Sequence, residues 1–212
     1  MSIRPAHFQE GDDWGPILLN IHGILDRSRA NGPGIRTSIW FQGCTLHCPA
    51  CFNPDTHSKE PAHLMTVCDL LARVMSHDRE IEGITVTGGE PLQQAEGLLA
   101  LLLGVRSATS LSVVLFSGFS ERQIRRMRLG DRILQLVDVL VAGRYVAQSH
   151  LGTGLRGSAN QQVHLLTPRY QIQDLMSTPA SEIHIDPHGN ALVSGILPPV
   201  LSIAGGQPRI RL

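Results

Sequence analysis

Segments in which apolar residues have the spacing of a strand alternate along the chain with segments in which they have the spacing of a helix. Short apolar or alternating runs predict strands over residues 17–25, 35–41, 84–87, 111–116, 138–141 and 162–166. Apolar residues at helical spacing predict helices over residues 65–78, 93–106, 121–128 and 131–137, with Thr66 and Ser120 as suitable N-caps. The alternation of strand and helix from Ile35 onward predicts right-handed βαβ units around a parallel sheet, and therefore an α/β fold.

The two ends of the chain differ from this pattern. Residues 1–15 show no clear period, and two further strands are predicted over residues 182–185 and 191–196. The intervening residues 186–190, Asp-Pro-His-Gly-Asn, predict a hairpin turn. We therefore predict an N-terminal extension at residues 1–16, an α/β core at residues 17–177 and a C-terminal β-hairpin extension at residues 178–212.

The composition argues against nucleic-acid or membrane partners. The 212 residues include 18 basic and 18 acidic side chains, so the formal net charge is zero. The longest apolar run, residues 98–105, is too short to span a bilayer, and no signal-peptide pattern is found. We therefore expect a cytoplasmic protein, in which clustered cysteines are typically metal ligands or catalytic groups. Cys68, alone in a helix-like segment, is expected to be buried as a small hydrophobic residue.

Three of the four cysteines fall within eight residues, after a predicted strand: Cys44, Cys48 and Cys51. Closely spaced thiolates favour an iron–sulfur cluster, and three of them leave one iron of a four-iron cluster open to a substrate or cosubstrate. The alternative is a structural zinc site completed by His47, His57 or His63. Zinc ligands usually come as two pairs, and because the sequence has no second pair of cysteines, the cluster is favoured.

Two further motifs follow predicted strands in the same way. Gly88-Gly89-Glu90-Pro91 comes after the strand at residues 84–87, and Ser117-Gly118 after the strand at residues 111–116. Because the carboxyl ends of parallel strands share one edge, both motifs are expected to lie beside the cysteine loop. The glycines allow a close backbone approach to a ligand, and Glu90 offers a hydrogen-bond acceptor.

Together these motifs resemble the radical SAM superfamily, and within it the small activating enzymes, above all those of anaerobic ribonucleotide reductase. The resemblance spans residues 20–166 and rests on five segments in the family's order: residues 31–36 (Asn-Gly-Pro-Gly-Ile-Arg), 48–53 (Cys-Pro-Ala-Cys-Phe-Asn), 87–91, 138–144 and 156–161. Ala142 departs from the family pattern, because the ribonucleotide reductase activators commonly carry Asp at that position.

The resemblance implies a partial (βα) barrel with parallel strands and a [4Fe-4S] cluster on the three cysteines. The open iron would bind S-adenosylmethionine, which is split to methionine and a 5′-deoxyadenosyl radical with an electron from a donor such as flavodoxin or ferredoxin. The S-adenosylmethionine contacts that it implies are Ala50, Cys51 and Phe52 on the adenine side, Gly88, Gly89 and Glu90 at the methionine ammonium, and Ser117. No catalytic residue is assigned.

Three functions are compatible with these features. The first is an activase that removes hydrogen from a glycine of a partner glycyl radical enzyme. The second is a radical enzyme that acts directly on a small molecule or peptide. The third, a non-catalytic metal or electron-transfer module, is disfavoured by the S-adenosylmethionine-type motifs.

Two other patterns carry less weight. Residues 152–157 spell Gly-x-Gly-x-x-Gly but lack the strand, helix and acidic residue of a dinucleotide-binding unit. We expect a loop there instead, leading to Arg156 and Asn160 on the substrate side. The arginine-rich residues 122–132 are expected to form a solvated helix face, with a docking patch as the alternative.

Overall fold

The protein is described by a computed structural model over residues 17–185, 188–189 and 191–196. The strands are β1 Leu18–Ser28, β2 Arg36–Phe41, β3 His63–Thr66, β4 Gly83–Gly88, β5 Ser112–Ser117, β6 Val139–Ala142, β7 His150–Thr153, β8 Arg156–Ser158, β9 Gln162–Leu165, β10 Ser181–Ile185 and β11 Ala191–Gly195. The helices are α1 Val67–Met75, α2 Ala95–Ala108, α3 Glu121–Arg125, α4 Gly130–Leu134 and α5 Ile172–Met176. Short 3-10 turns cover Pro54–His57, Pro91–Gln94 and Ala147–Ser149.

Seven strands form one mixed sheet in the order β3-β1-β2-β4-β5-β6-β9. The central strands β2, β4, β5 and β6 are parallel, which confirms the prediction for this part of the chain. The outer strands β1, β3 and β9 pair antiparallel with their neighbours. The predicted strand at residues 162–166 therefore does not extend the parallel sheet, because a hairpin and a 3-10 turn, not a crossover helix, connect β6 to β9.

One face of the sheet carries the main hydrophobic core, because alternate residues of each strand point to it. The core combines strand residues with helix residues, including Ile39, Phe41, Ile84, Val86, Val113, Leu115, Leu70, Leu98, Leu101, Ile124 and Ile133. Helices α1 to α4 therefore pack on this face. The predicted N-caps are confirmed: Thr66 Oγ1 accepts from the Asp69 amide (3.0 Å), and Ser120 forms a capping box with Gln123.

The opposite face of the sheet has a smaller apolar cluster and a buried charge. Val114, Val139 and Val141 pack there against residues outside the sheet, namely Leu155, Tyr170 and Leu175. Arg36 is fully buried at the start of β2 and donates to Thr85 Oγ1 (2.9 Å), the Pro33 carbonyl (2.9 Å) and the Ile84 carbonyl (2.7 Å). The guanidinium thus joins the Asn-Gly-Pro-Gly turn to β4.

Some local features differ from the sequence prediction. Cys68 is exposed because it lies outside the buried stripe of α1, which consists of Val67, Leu70 and Val74. Residues 150–158 form the β7–β8 hairpin in place of the expected loop. The salt bridges of Arg125 with Glu121 and Asp131 agree with a solvated helix face.

The C-terminal hairpin is confirmed by the antiparallel pairing of β10 with β11. Three residues of its predicted turn, Asp186, Pro187 and Asn190, lie outside the described residues, as do residues 1–16 and 197–212. Within the described ranges, the helices are all too short or too polar to cross a membrane.

Candidate metal centre

The cysteine loop begins at the carboxyl end of β2 and is held by the backbone of the Pro54–His57 turn. The Cys44 amide donates to the carbonyl oxygen of His57 (3.3 Å). His47 and Ala50 have left-handed backbone φ angles of 45° and 54°. These two bends lie between the cysteines and curl the loop, and all three thiol-bearing residues line one cavity.

Gly88 and Gly89 pack against the base of this loop. The Gly89 amide donates to the Phe41 carbonyl (2.8 Å), and the Glu90 amide donates to the Gly43 carbonyl (2.9 Å). A Cβ at Gly88 would lie 2.4 Å from the Phe41 nitrogen, and one at Gly89 would lie 2.3 Å from the Gly43 oxygen. Both glycines are therefore needed for β4 to approach the cysteine loop, a packing reason that the sequence did not indicate.

A cavity that is partly open to solvent lies beside the loop. Its wall includes the cysteines of the loop and the ends of two parallel strands: Cys44, Cys48, Cys51, Gly88, Gly89 and Ser117. The structure thus brings together the three motifs that follow predicted strands, because the carboxyl ends of parallel strands meet at one edge. Among the described residues that line the cavity, no side chain is Asp, Glu, Lys or Arg.

Burial controls the protonation of the thiols. It raises the pKa of Cys44, an effect that the backbone amides of Leu46 and His47 partly offset. It also raises the pKa of Cys51, with a partial offset from the amide of Asn53. Without metal these thiols keep their protons at neutral pH, so metal binding must release them.

The donor set fits an iron–sulfur cluster, because soft thiolates are the ligands that iron–sulfur clusters require. Each cysteine of a four-iron cluster binds a different iron, so the thiols need to surround a space and not converge on one point. Within the described part of the chain, no group of three or more His, Cys, Asp or Glu residues is placed to hold a single metal ion. Of the histidines considered for zinc, only His57 lines this cavity in the described structure.

Glu90 lies directly behind the cavity wall. Its carboxylate accepts hydrogen bonds from the Leu92 amide (3.0 Å), the Ser117 hydroxyl (3.0 Å) and the Gly118 amide (2.8 Å). Burial raises the pKa of this fully buried group to about 7, although the three donors oppose the shift. Ser117 and Gly118 both line the cavity, so Glu90 supports the wall, and its described hydrogen-bond partners include no basic side chain.

The structure brings most of the predicted S-adenosylmethionine contacts to the cavity, but not all of them. The lining includes Cys51, Phe52, Gly88, Gly89 and Ser117, whereas Ala50 and Glu90 are not part of it. Arg156 and Asn160 do not lie on the cysteine cavity, contrary to expectation; they lie at a separate cavity beside β9 and α5. Their neighbours Gly157 and Gln161 line the cysteine cavity in their place.

Several lining residues were not found from the sequence. The ring of Tyr145 packs on Phe52 with centroids 4.5 Å apart, and its hydroxyl lies 3.3 Å from Nδ1 of His150. Tyr145 directly follows the family-like segment at residues 138–144, so its position was an available signal. Gly195 and Ile196 also line the cavity, but nothing in the sequence of the C-terminal extension indicated this.

Comparison with known proteins agrees with this site. The family described as "4Fe-4S single cluster domain" matches residues 30–164, which include the three cysteines of the loop. The chain is also similar to the anaerobic ribonucleoside-triphosphate reductase-activating protein of Enterobacteria phage T4. The two are 30% identical over 150 residues, which are 68% of this chain and 93% of the phage protein.

Two further relatives have related names. The anaerobic ribonucleoside-triphosphate reductase-activating protein of Vibrio cholerae is 28% identical over 156 residues, covering 70% of this chain and 99% of that protein. The pyruvate formate-lyase-activating enzyme of Clostridium pasteurianum is 39% identical over 90 residues, covering 41% of this chain and 38% of that enzyme. The chain thus spans less than half the length of the clostridial relative. Because the family match covers well over half of this chain, the chain belongs to the 4Fe-4S single cluster domain family, among the radical SAM activating enzymes.

Proposed function

We propose that this enzyme binds a [4Fe-4S] cluster on Cys44, Cys48 and Cys51 and reductively cleaves S-adenosylmethionine to a 5′-deoxyadenosyl radical. The observation that carries the proposal is the single cavity where the three cysteines meet the carboxyl ends of β4 and β5. When bound, the cluster supplies the electron and the open iron for S-adenosylmethionine. We also propose that the sheet is the partial (βα) barrel of the radical SAM fold, with this cavity on its inner face.

Different residues of the cavity are proposed to contact different parts of S-adenosylmethionine. The backbone at Ala50, Cys51 and Phe52 is proposed to hold the adenine side of S-adenosylmethionine, with the Phe52–Tyr145 ring pair excluding water. Gly88 and Gly89 leave room for its methionine end, because neither carries a side chain into the cavity.

Glu90 and Ser117 are proposed to recognise the charged groups of the methionine end. The support for Glu90 is its buried carboxylate, which accepts three neutral donors but no cation among the described residues. An ammonium group reaching the wall at Ser117 and Gly118 would supply the missing positive charge.

We propose that the hydrogen is taken from a glycine of a partner glycyl radical enzyme. The names of the relatives support this, because they are activating proteins of such systems. An electron donor such as flavodoxin or ferredoxin and a cytoplasmic location belong to the same proposal. Ala142 ends β6 and is 3% exposed within the core, so the carboxylate of the ribonucleotide reductase activators has no counterpart here.

A second candidate is a radical enzyme that acts directly on a small molecule or peptide. The C-terminal hairpin favours it, because Gly195 and Ile196 add a wall to the cavity from outside the family match at residues 30–164. A more enclosed cavity suits a small substrate better than a protein loop.

Anaerobic reconstitution tests the cluster. We expect about four irons per chain and cleavage of S-adenosylmethionine on reduction. Cys48→Ala should lose both, whereas Cys68→Ala should retain both, because Cys68 is exposed on α1. One zinc and no iron in the reconstituted protein would overturn the proposal.

Electron spin resonance separates the two candidates. The reduced enzyme is mixed with S-adenosylmethionine and with the glycyl radical enzyme encoded nearest to it. A persistent glycine radical on that partner supports the activase. Turnover of S-adenosylmethionine that leaves the partner without a radical favours the small-substrate enzyme.

A further inference from the structure

The ring of Tyr145 reaches from the lining of the cysteine cavity to the protein surface. It lines the cavity and packs on Phe52, with ring centroids 4.5 Å apart. Its hydroxyl lies 3.3 Å from Nδ1 of His150, which is exposed to solvent. The imidazole of His150 also approaches Phe52, with centroids 5.6 Å apart. The half-buried Tyr145 therefore stands at the mouth of the cavity, where a group that enters from solvent can contact it.

The segment at residues 156–161 holds the backbone on both sides of Tyr145. Three of its side chains bond to three different backbone groups there: the Gln161 amide donates to the Gly143 carbonyl (2.9 Å), the Asn160 amide donates to the Arg144 carbonyl (2.8 Å), and the Ser158 hydroxyl accepts from the Val146 amide (3.1 Å). The chain is thus fixed immediately before and immediately after the tyrosine.

Gln161 has the most extensive part in this arrangement. Besides its bond to Gly143, its Oε1 atom accepts from the backbone amides of Gly157 (2.8 Å) and Ser158 (3.1 Å) in β8. A Cβ at Gly157 would lie 2.6 Å from the ring of Phe52 and 3.3 Å from the ring of Tyr145, so the hairpin packs closely on both rings. One side chain therefore joins the end of β6 to the hairpin against which the two rings pack.

The wall at this mouth offers contact area and no charge. Among the described residues that line the cavity, none is Asp, Glu, Lys or Arg, so a charged substrate would find no counterion there. Aromatic rings and the bare backbone of Gly157 instead suit an uncharged peptide segment, which they can cover while excluding water.

We propose that Tyr145 contacts the hydrogen-donating substrate, an uncharged peptide segment, at the mouth of the cavity, and that Gln161 is a positioning residue that holds the Tyr145 ring for this contact. The inference rests on the proposed activation of a partner glycyl radical enzyme. A substrate that is held less well receives the radical less often, so S-adenosylmethionine cleavage then exceeds hydrogen transfer.

A double-mutant cycle in the reconstituted, chemically reduced enzyme tests the kinetic part. The substrate is the glycyl radical enzyme encoded nearest to this protein. We expect Tyr145→Ala and Gln161→Leu each to lower kcat/KM for this partner about tenfold and to form more 5′-deoxyadenosine per glycine radical, with the KM for S-adenosylmethionine changed less than about twofold. The double variant should lose no more than Tyr145→Ala alone, because Gln161 acts through the ring. Tyr145→Phe, which keeps the ring, should retain most of the activity.

Gln162→Leu is the matched control. It makes the same substitution at the next residue, which is exposed and whose side chain has no hydrogen-bond partner among the described residues. We expect its kinetics to equal those of the wild type. Additive losses in the double variant, or unchanged partner kinetics in Tyr145→Ala, would overturn the inference.

Fluorine resonance of protein containing 3-fluorotyrosine measures the ring position without any partner. The chain has two tyrosines, and Tyr145→Phe assigns their signals. Gln161→Leu should shift the Tyr145 signal, because the ring moves relative to Phe52, and should leave the signal of the buried Tyr170 in place. Gln162→Leu should shift neither signal. An unchanged Tyr145 signal in Gln161→Leu would overturn the positioning role.

The proposed function can fail separately. A wild-type enzyme that cleaves S-adenosylmethionine but forms no radical on this partner would overturn the activase and, with it, the peptide contact at Tyr145. The fluorine signals would then still decide whether Gln161 positions the ring.

Discussion

The buried carboxyl of Glu90 should make the metal-free protein less stable as the pH rises. Its pKa is raised from 4.5 to about 7 because burial disfavours the charged form. The folded state therefore holds this proton more tightly than the unfolded state, and stability falls between these two pKa values. Once Glu90 is ionised in both the folded and the unfolded state, its raised pKa lowers the free energy of unfolding by about 3 kcal/mol.

Glu90→Gln removes this titration. The variant has a constant penalty, because its amide NH₂ must face either the Leu92 or the Gly118 amide, and both are donors. The informative quantity is therefore the change with pH in the difference between the two free energies of unfolding. Between about pH 5 and about pH 8, this difference should shift by about 2.5 kcal/mol in favour of the variant.

Urea unfolding of the reduced, metal-free proteins at several pH values measures the effect. Ser117→Ala gives a second test. It removes a donor that favours the ionised carboxylate and so raises the folded pKa of Glu90 further, and the loss of stability should therefore extend to higher pH and become larger. Parallel curves for the wild type and Glu90→Gln would refute the reasoning. So would a shift of the opposite sign, because it would mean that the three donors outweigh burial.

Three further outcomes are expected. Gly88→Ala should reduce the free energy of unfolding by about 2–4 kcal/mol, against about 1 kcal/mol for Gly143→Ala. Both glycines have positive φ, but the added Cβ would lie 2.4 Å from the β2 backbone at Gly88 and 3.6 Å from the nearest atom at Gly143; equal losses by urea unfolding would refute this. Burial is the largest single influence on the pKa of Asp138 and would raise it, but the hydrogen bonds from Thr167, the Val113 amide and Arg106 together lower this pKa. Asp138→Asn should therefore cost about 2–4 kcal/mol at neutral pH, a loss that shrinks in acid as the wild-type carboxylate protonates; a cost that persists in acid unfolding would contradict this. During anaerobic assembly from iron and hydrosulfide, a pH-stat should record more proton release from the wild type than from Cys44→Ala, because a thiol must ionise to bind iron; equal release would contradict the thiol assignment.

The central strands could be predicted from the sequence because they are buried on both faces. Strands such as β4 and β5 then appear as short apolar runs between helical segments, and their order implies a shared edge. The strands β3, β7 and β8 contain three or four residues each and mix polar with apolar positions. Their pairing depends on distant partners, so local periodicity did not reveal them.

The candidate site was predictable where its residues are close in sequence. The spacing of Cys44, Cys48 and Cys51 indicated a soft-metal site by itself. The contribution of Tyr145, by contrast, depends on a loop that returns to the cavity about a hundred positions later, and its place directly after the family-like segment at residues 138–144 was the available signal for that return. Glu90 lies between these cases: its motif was visible, but its place behind the wall depends on hydrogen bonds to the end of β5.

The turn at residues 31–36 shows how the cavity depends on parts of the chain outside the family match. The side-chain amide of Asn31 donates to Ser28 Oγ (2.6 Å) and to Ser194 Oγ in β11 (2.6 Å), and Asn31 itself lines the cavity. The backbone carbonyl of Asn31 accepts a hydrogen bond from the Thr85 hydroxyl (2.7 Å), and this hydroxyl accepts one from the buried Arg36 guanidinium. One polar network therefore links the sheet, the turn and the C-terminal hairpin. Because the hairpin adds its own residues to the cavity wall, the shape of the cavity is set by the core and the hairpin together.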